Sequence, residues 1–246
     1  MNAAHDCAGS NRQLRLTGQR QGERLGVKRL SCVSMNPVTT QAVLLVASCT
    51  FSLGYMVTGG NSPLAKYVLA WALFHASEYV CTLRYLPRTK TPYLFLIYGA
   101  TGSVQLAALH LLSVSEYVIT QKFWVCHGVP KVGFVLALTG ILVRARAIHD
   151  CGDSFSHYIE TSSPRRLVTC GAYAWCRHPS YAGFVLYVVG MQAILGNLFV
   201  FVASVVVLIR FFTRRIEIEE HFLIDFYGPA YLQYKARVRA LVPCIY

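Results

Sequence analysis

The stretch RRLVTCGAYAWCRHPSYAGFVLYVVGMQAILGNLFVFVASVVVLIRFFTRRIEIEEHFLIDFY, residues 165–227, decides the fold. It opens as a polar loop rich in Arg and Tyr (165–181), continues as two apolar runs (181–195 and 198–213), and ends as a charged helix (214–227). Gly196-Asn197 separates the two runs. Both residues tolerate left-handed backbone geometry, so the pair reads as the turn of a helical hairpin. A hairpin returns the chain to the face it left. Arg177-His178-Pro179-Ser180-Tyr181 is therefore expected to meet Arg215 and Glu219 at one surface. At ~1.5 Å rise per residue each arm is about 22–24 Å long, short for a crossing unless the bilayer thins or protein sheathes one end.

Composition extends that reading to the whole chain. Of 246 residues, 54% are hydrophobic and 14% charged, with a mean hydropathy of +0.43, values that soluble domains of this size seldom reach. An integral membrane protein is expected. The net charge of +12 sits on Lys and Arg gathered between apolar runs and at both ends, as where cytosolic loops face anionic lipid. Membrane lipid is the expected contact, and nucleic acid is not. Nine cysteines without a C-x-x-C pair argue against a zinc site or a disulfide framework. His149 and His157 have no further ligand at a usual spacing, so no metal is expected. No G-x-G-x-x-G follows a strand, which excludes a Rossmann crevice.

Residues 1–36 are polar, basic and without periodic apolar positions, so they read as a disordered tail. They carry no secretory cleavage pattern, and targeting then rests on the first span. The endoplasmic reticulum is the default membrane. Met35 stands directly before that span and is an alternative translation start. Apolar runs at 41–58, 64–83, 93–113 and 130–147 precede the hairpin arms, making about six spans against the ~20 residues that a crossing requires. Residues 115–128, with Phe123 and Trp124, read as an interfacial segment. Arg144 and Arg146 mark the cytosolic end of the fourth span. The second span holds His75 and Glu78 within one turn, and an acid at that depth is costly unless partnered. Glue between helices is the plain reading, and gating of a substrate is the alternative. The expected fold is an all-α polytopic membrane helix bundle: a tail at 1–36, transmembrane helices at 37–148, and a C-terminal region at 149–246. That last region carries the hairpin (181–213), the cytosolic helices and the chemistry.

Leu167-Val168-Thr169, Gly171-Ala172-Tyr173-Ala174-Trp175, Arg177-His178-Pro179-Ser180-Tyr181 and Arg215-x-x-x-Glu219 occur in this order and spacing. With Ser154-Phe155-Ser156-His157 upstream and Phe226-Tyr227-Gly228, Tyr231 and Tyr234 downstream, the series resembles the isoprenylcysteine carboxyl methyltransferase family. The likeness covers roughly residues 140–246. It implies an endoplasmic-reticulum enzyme, its active site facing the cytosol, that methylates the C-terminal carboxylate of prenylated CaaX proteins with S-adenosylmethionine as donor. By resemblance the cofactor is held by Glu160, by Arg165, Arg166, Leu167 and Val168, by Tyr173, by His178, Pro179, Ser180 and Tyr181, and by Glu219. Arg215 occupies the place of the Arg that contacts the prenylcysteine. Glu160 stands where the family has Gln, and Arg165 where it has His. Cys244-Ile245-Tyr246 is one residue short of a C-a-a-X box, so the chain itself is not expected to be prenylated.

The residue chemistry points the same way. A carboxylate acceptor is already ionised at neutral pH, so methyl transfer to it needs positioning more than a general base. Arg offers a planar fork of two charge-assisted bonds where Lys offers a point charge. Arg215 suits that grip, and Glu219, four residues on, shares its helix face. Read alone, the pair is a solvated ion pair worth a few tenths of a kcal/mol. Pro179 alone is a helix start, and Tyr173, Trp175 and Tyr181 alone are an interfacial belt. Two other functions remain open at this point: a phospholipid N-methyltransferase, whose amine acceptor needs no carboxylate clamp, and a non-catalytic sterol- or lipid-binding membrane protein.

Overall fold

A computed structural model describes residues 37–60, 62–85, 104–121, 129–156 and 166–240, and every regular element among them is helical. The tail at 1–36, Phe123, Trp124, His157, Glu160, Arg165 and Cys244 lie outside the described residues. Seven α-helices follow in order: α1 (Pro37–Val57), α2 (Pro63–Tyr85), α3 (Val104–Thr120), α4 (Val129–Cys151), α5 (Pro179–Leu195), α6 (Phe199–Tyr227) and α7 (Pro229–Arg237). Proline opens α1, α2, α5 and α7, at the position where its missing N–H would have had no helical partner.

The centre of the bundle is the contact of α4 with α5. Gly133 and Gly140 on α4 face Gly183 and Gly190 on α5, and a methyl group on any of them would overlap backbone of the opposite helix. Small residues at this spacing let two backbones approach until dispersion contacts hold them, the usual solution where lipid removes the hydrophobic drive between helices. Around this seam α2 contributes Tyr67, Ala70 and Phe74, which are buried with Ala137, Ile141, Tyr187, Val188, Met191 and Ile194. Phe74 stacks on Tyr187 with ring centres 4.2 Å apart. α1 packs along α2.

Polar side chains tie α3 to its neighbours. The Ser113 hydroxyl and the Gln192 side-chain amide hydrogen-bond at 3.0 Å, and the Asn197 amide donates to the Ser113 carbonyl at 2.9 Å. The Glu116 carboxylate accepts from the backbone N–H groups of Leu198 (2.7 Å), Phe199 (2.9 Å) and Val200 (2.7 Å). An acid from another helix thus caps the otherwise unpaired N-terminus of α6 and complements its dipole. Glu116 belongs to α3, which continues to Thr120, where the residue pattern had suggested an interfacial segment from 115.

The hairpin turn is as expected. Gly196 adopts φ 71°, its N–H bonds Ala193 O, and the Asn197 N–H bonds Gln192 O at 3.1 Å, the paired bonds of a Schellman stop. The second arm is not. Instead of ending at Thr213 before a separate charged helix, α6 runs unbroken for 29 residues, about 43 Å at ~1.5 Å per residue. Its first half is apolar, its second half charged, and one rigid rod links them.

By length and composition, one helix among the described residues meets the requirement for crossing a membrane: α4 with the short turn that follows it, Val129–Ser154. Val43–Val57, Val104–Thr120 and Pro179–Leu195 are shorter apolar helices. Large apolar side chains lie exposed on several faces, among them Phe51, Leu111, Val132, Leu142, Phe199 and Val207, far more than a water-facing surface carries without a partner.

Candidate active site

The site is built where the N-terminus of α5 meets the charged half of α6. Pro179 occupies the first turn of α5, and the Tyr181 and Ala182 N–H groups bond the His178 carbonyl at 3.1 Å. The His178 side chain takes no part in capping. It turns instead toward α6, with Nε2 3.0 Å from Glu220 and Nδ1 3.8 Å from Glu219. Its ring lies parallel to Tyr181, with centroids 5.5 Å apart and planes 2° from coplanar.

Tyr181 is the junction. Its hydroxyl donates to Glu219 Oε2 at 2.6 Å and accepts from Arg215 Nε at 2.8 Å. The Arg215 guanidinium carbon also stands 5.5 Å from the centre of the Tyr181 ring, within cation–π range. The loop and the helix therefore meet as the hairpin topology requires.

Behind this junction lies a buried ion cluster. The Glu220 carboxylate receives Arg177 Nε (2.8 Å), His178 Nε2 (3.0 Å) and Lys235 Nζ (2.7 Å). Burial opposes ionisation, but the hydrogen bonds from His178, Lys235 and Arg177 outweigh it and hold this carboxyl well below the ordinary carboxylate range. Arg177 reaches further, bonding the Val238 carbonyl at 2.5 Å, while its backbone N–H bonds Arg239 O at 3.0 Å. Loop, α6 and α7 are thereby locked together. The preceding turn, Gly171–Ala174, is pinned from both sides. The Ala172 N–H donates to Asp150 at 2.8 Å, and the Tyr234 hydroxyl donates to the Tyr173 carbonyl at 2.6 Å. Gly171 sits at φ 62°, and a Cβ there would strike the Asp150 carboxylate. Burial pushes the Tyr173 phenol far up, so it is neutral at physiological pH.

Two cavities meet at this point. The smaller is lined by Arg166, Leu167, Val168, Tyr173, His178, Ser180, Tyr181 and Glu219, with Phe222, Phe226, Tyr227 and Tyr231 adding aromatic walls. The larger, about 760 Å³, lies between α3 and α6 and is mainly apolar. Leu106, Leu109, Leu112, Phe184, Val207 and Phe211 furnish its walls, and Arg144 and Arg215 are among its polar groups. Phe155, Ser156, Ser180 and Tyr181 belong to both.

Of the residues singled out from sequence, Arg166, Leu167, Val168, Tyr173, His178, Ser180, Tyr181 and Glu219 thus surround one space. Pro179 starts the helix beneath it, and Arg215 faces the neighbouring cavity. Glu160 and Arg165 lie outside the described residues. Sequence reasoning passed over Phe222 and quoted Phe226 only as part of the downstream motif, although positions 215, 219, 222 and 226 share one helix face. It also passed over Glu220 with Arg177 and Lys235, and over the Arg144 contact to Glu78. Among the described residues no three His, Cys, Asp or Glu side chains are grouped to hold a metal.

The comparisons with known proteins agree. The model of the isoprenylcysteine carboxyl methyltransferase (ICMT) family matches residues 132–225. The chain is 35% identical over 206 residues to protein-S-isoprenylcysteine O-methyltransferase of Mus musculus, covering 81% of this chain and 71% of that protein. It is 34% identical over 191 residues to the enzyme of the same name from Saccharomyces cerevisiae, covering 73% of this chain and 79% of that one. The solved structure of the eukaryotic intramembrane Ras methyltransferase ICMT superposes with a TM-score of 0.77 at 28% identity, covering 85% of this chain and 76% of that one. A helical bundle with a polar pocket set against an apolar one, in a sequence this close to these relatives, defines a membrane methyltransferase. The chain belongs to the isoprenylcysteine carboxyl methyltransferase family.

Proposed function

We propose that this protein methylates the C-terminal carboxylate of prenylcysteine, in CaaX-processed proteins, using S-adenosylmethionine. The observation that carries the reading is the shared wall of the two cavities. Arg215 and Glu219, one turn apart, serve opposite sides of it, and Tyr181 bonds both. The family relationship favours this acceptor over a phospholipid amine and over a non-catalytic role.

The smaller cavity suits the cofactor by its donor set. Glu219 offers acceptors to ammonium or ribose hydroxyl groups, and the Tyr173, Phe222, Phe226 and Tyr231 rings offer faces to a purine or a sulfonium. When bound, S-adenosylmethionine supplies an electrophilic methyl group on a positive sulfur. The larger cavity suits an isoprenoid chain by its volume of about 760 Å³ and its apolar lining.

The chain's own residues then have simple tasks. Arg215 grips and aims the acceptor carboxylate, Tyr181 fixes the Arg215 side chain relative to Glu219, and the Glu220 cluster keeps His178 and the loop in place. No proton is removed in the transfer, so no residue is needed as a general base. The apolar walls exclude the water that would otherwise solvate the nucleophile. In the same reading, helices at 37–148 and the hairpin provide about six crossings of the endoplasmic-reticulum membrane. Residues 149–246 carry catalysis at the cytosolic face, as a division of labour within one unit, Asn36–Tyr246.

Purified protein given tritiated S-adenosylmethionine and N-acetyl-S-farnesylcysteine should yield base-labile tritiated methyl ester. Absence of ester from folded protein that binds the donor would reject the assignment.

A further inference from the structure

Two guanidinium groups line the apolar cavity, Arg144 and Arg215. The function proposed above assigns acceptor capture to one of them, Arg215. Arg144 lies in the C-terminal part of α4. Its Nε donates to Glu78 Oε1 at 2.7 Å, and its Nη2 donates to Glu78 Oε2 at 2.9 Å. This is the two-bond fork that a substrate carboxylate would itself seek. The remaining Nη1 donates to Ser180 Oγ at 2.8 Å. Phe74 and Phe184 flank the guanidinium, at 5.9 and 5.7 Å from their ring centres. Glu78 is buried, and it lines the same cavity with Arg144.

Resting on the function proposed above, we propose that Glu78 is a specificity-determining residue. It fills the carboxylate-binding fork of Arg144 so that the acceptor carboxylate of the prenylcysteine is captured at Arg215 alone. Discrimination between two sites needs an element that closes the wrong one as well as an element that favours the right one. Ser180 and Tyr181 are consecutive residues bonded respectively to Arg144 and Arg215, so the decoy and the productive anchor lie on either side of one α5 turn. With the Glu78 charge removed, Arg144, whose side chain is 12% exposed, stays in the cavity wall without its carboxylate partner. An incoming carboxylate then has a second anchor.

Unproductive capture leaves a particular kinetic signature. It lowers kcat and KM for the prenylcysteine by the same factor and leaves kcat/KM unchanged, because the competing mode subtracts from both equally. Loss of folded enzyme lowers kcat and kcat/KM with KM constant. The test is steady-state methyl transfer to N-acetyl-S-farnesylcysteine by full-length wild type, Glu78→Gln, Glu78→Asp and the double variant Glu78→Gln/Arg144→Gln.

The expected result for Glu78→Gln is a parallel fall in kcat and prenylcysteine KM of about tenfold, a binding preference of about 1.4 kcal/mol. KM for S-adenosylmethionine should not move. Glu78→Asp should recover most of the wild-type values, and the double variant, in which the decoy is gone, should raise kcat and prenylcysteine KM together above those of Glu78→Gln. The inference is overturned if Glu78→Gln lowers kcat/KM at constant KM, or if it changes neither parameter. It is also overturned if the single variant yields no folded protein while the double variant folds with kcat still depressed. A wild-type chain that transfers no methyl group would instead remove the functional reading itself, so the two failures are distinct.

Discussion

The Tyr181 hydroxyl stands 2.6 Å from Glu219 Oε2 across a sequence separation of 38 residues. This bond joins the first turn of α5 to the charged half of α6 at the wall between the two cavities. Replacing Tyr181 with Phe keeps the ring stack on His178 and Phe212 but removes the only group that bonds both Arg215 and Glu219 among the contacts described above. Hydrogen bonds to charged groups are worth roughly 1.5–3 kcal/mol. Steady-state kinetics of Tyr181→Phe should therefore show kcat/KM reduced by about 10- to 100-fold, with the protein still folded and its thermal midpoint lowered by a few degrees. An unchanged kcat/KM would show that the hydroxyl has no part in aligning the two ligands.

Glu220 should prove structural where its neighbour Glu219 is functional. Glu220→Gln leaves Arg177, whose side chain is 2% exposed, without its carboxylate, a change that typically costs about 3–5 kcal/mol. Thermal unfolding in detergent should register a large drop in midpoint, and Glu219→Gln should not.

The same carboxylate sets an acid limb of stability. Its folded-state pKa lies below the ordinary value because three hydrogen-bonded partners outweigh burial, whereas in the unfolded chain a glutamate titrates near about 4.3. Its contribution is complete above that pH. It declines as pH falls below, toward the folded-state value. The wild-type midpoint should therefore decrease steadily from about pH 5 to about pH 3. Glu220→Gln, starting lower, should show a shallower decrease. Parallel slopes would remove Glu220 as the cause.

The helix seam offers a test of the fold. A side chain at Gly140 or Gly190 must enter opposing backbone, and overpacking of this kind costs about 1–3 kcal/mol or more. Gly140→Val and Gly190→Val should lower the thermal midpoint by several degrees. Gly54→Ala, where a new Cβ meets nothing within 4 Å, should not.

Some of this was legible in the residues alone, for physical reasons. The meeting of Tyr181 with Arg215 and Glu219 follows from a hairpin turn at Gly196-Asn197 together with the 3.6-residue helical period, both local properties. The length of α6 was not legible, because the switch from apolar to charged at Thr213 marks a change of solvent and not of backbone geometry. Glu219 and Glu220 are chemically identical in sequence. One helical step separates a cavity wall from an ion cluster, and nothing local says that Arg177 and Lys235 wait on the second side. Arg144 read as the end of a span because its partner lies 66 residues earlier on α2. Glu78 was seen to need a partner, yet which cation supplied it depended on how α2 and α4 pack.

The division of labour across the Tyr181 wall is tested most directly by varying both substrates in initial-rate kinetics of Glu219→Gln and Arg215→Lys. Glu219→Gln should raise KM for S-adenosylmethionine about tenfold or more and leave that for N-acetyl-S-farnesylcysteine near wild type. Arg215→Lys, which keeps the charge but loses the fork, should do the reverse. If both variants raise both constants equally, or if the two effects are exchanged, the assignment of donor and acceptor to the two cavities is wrong.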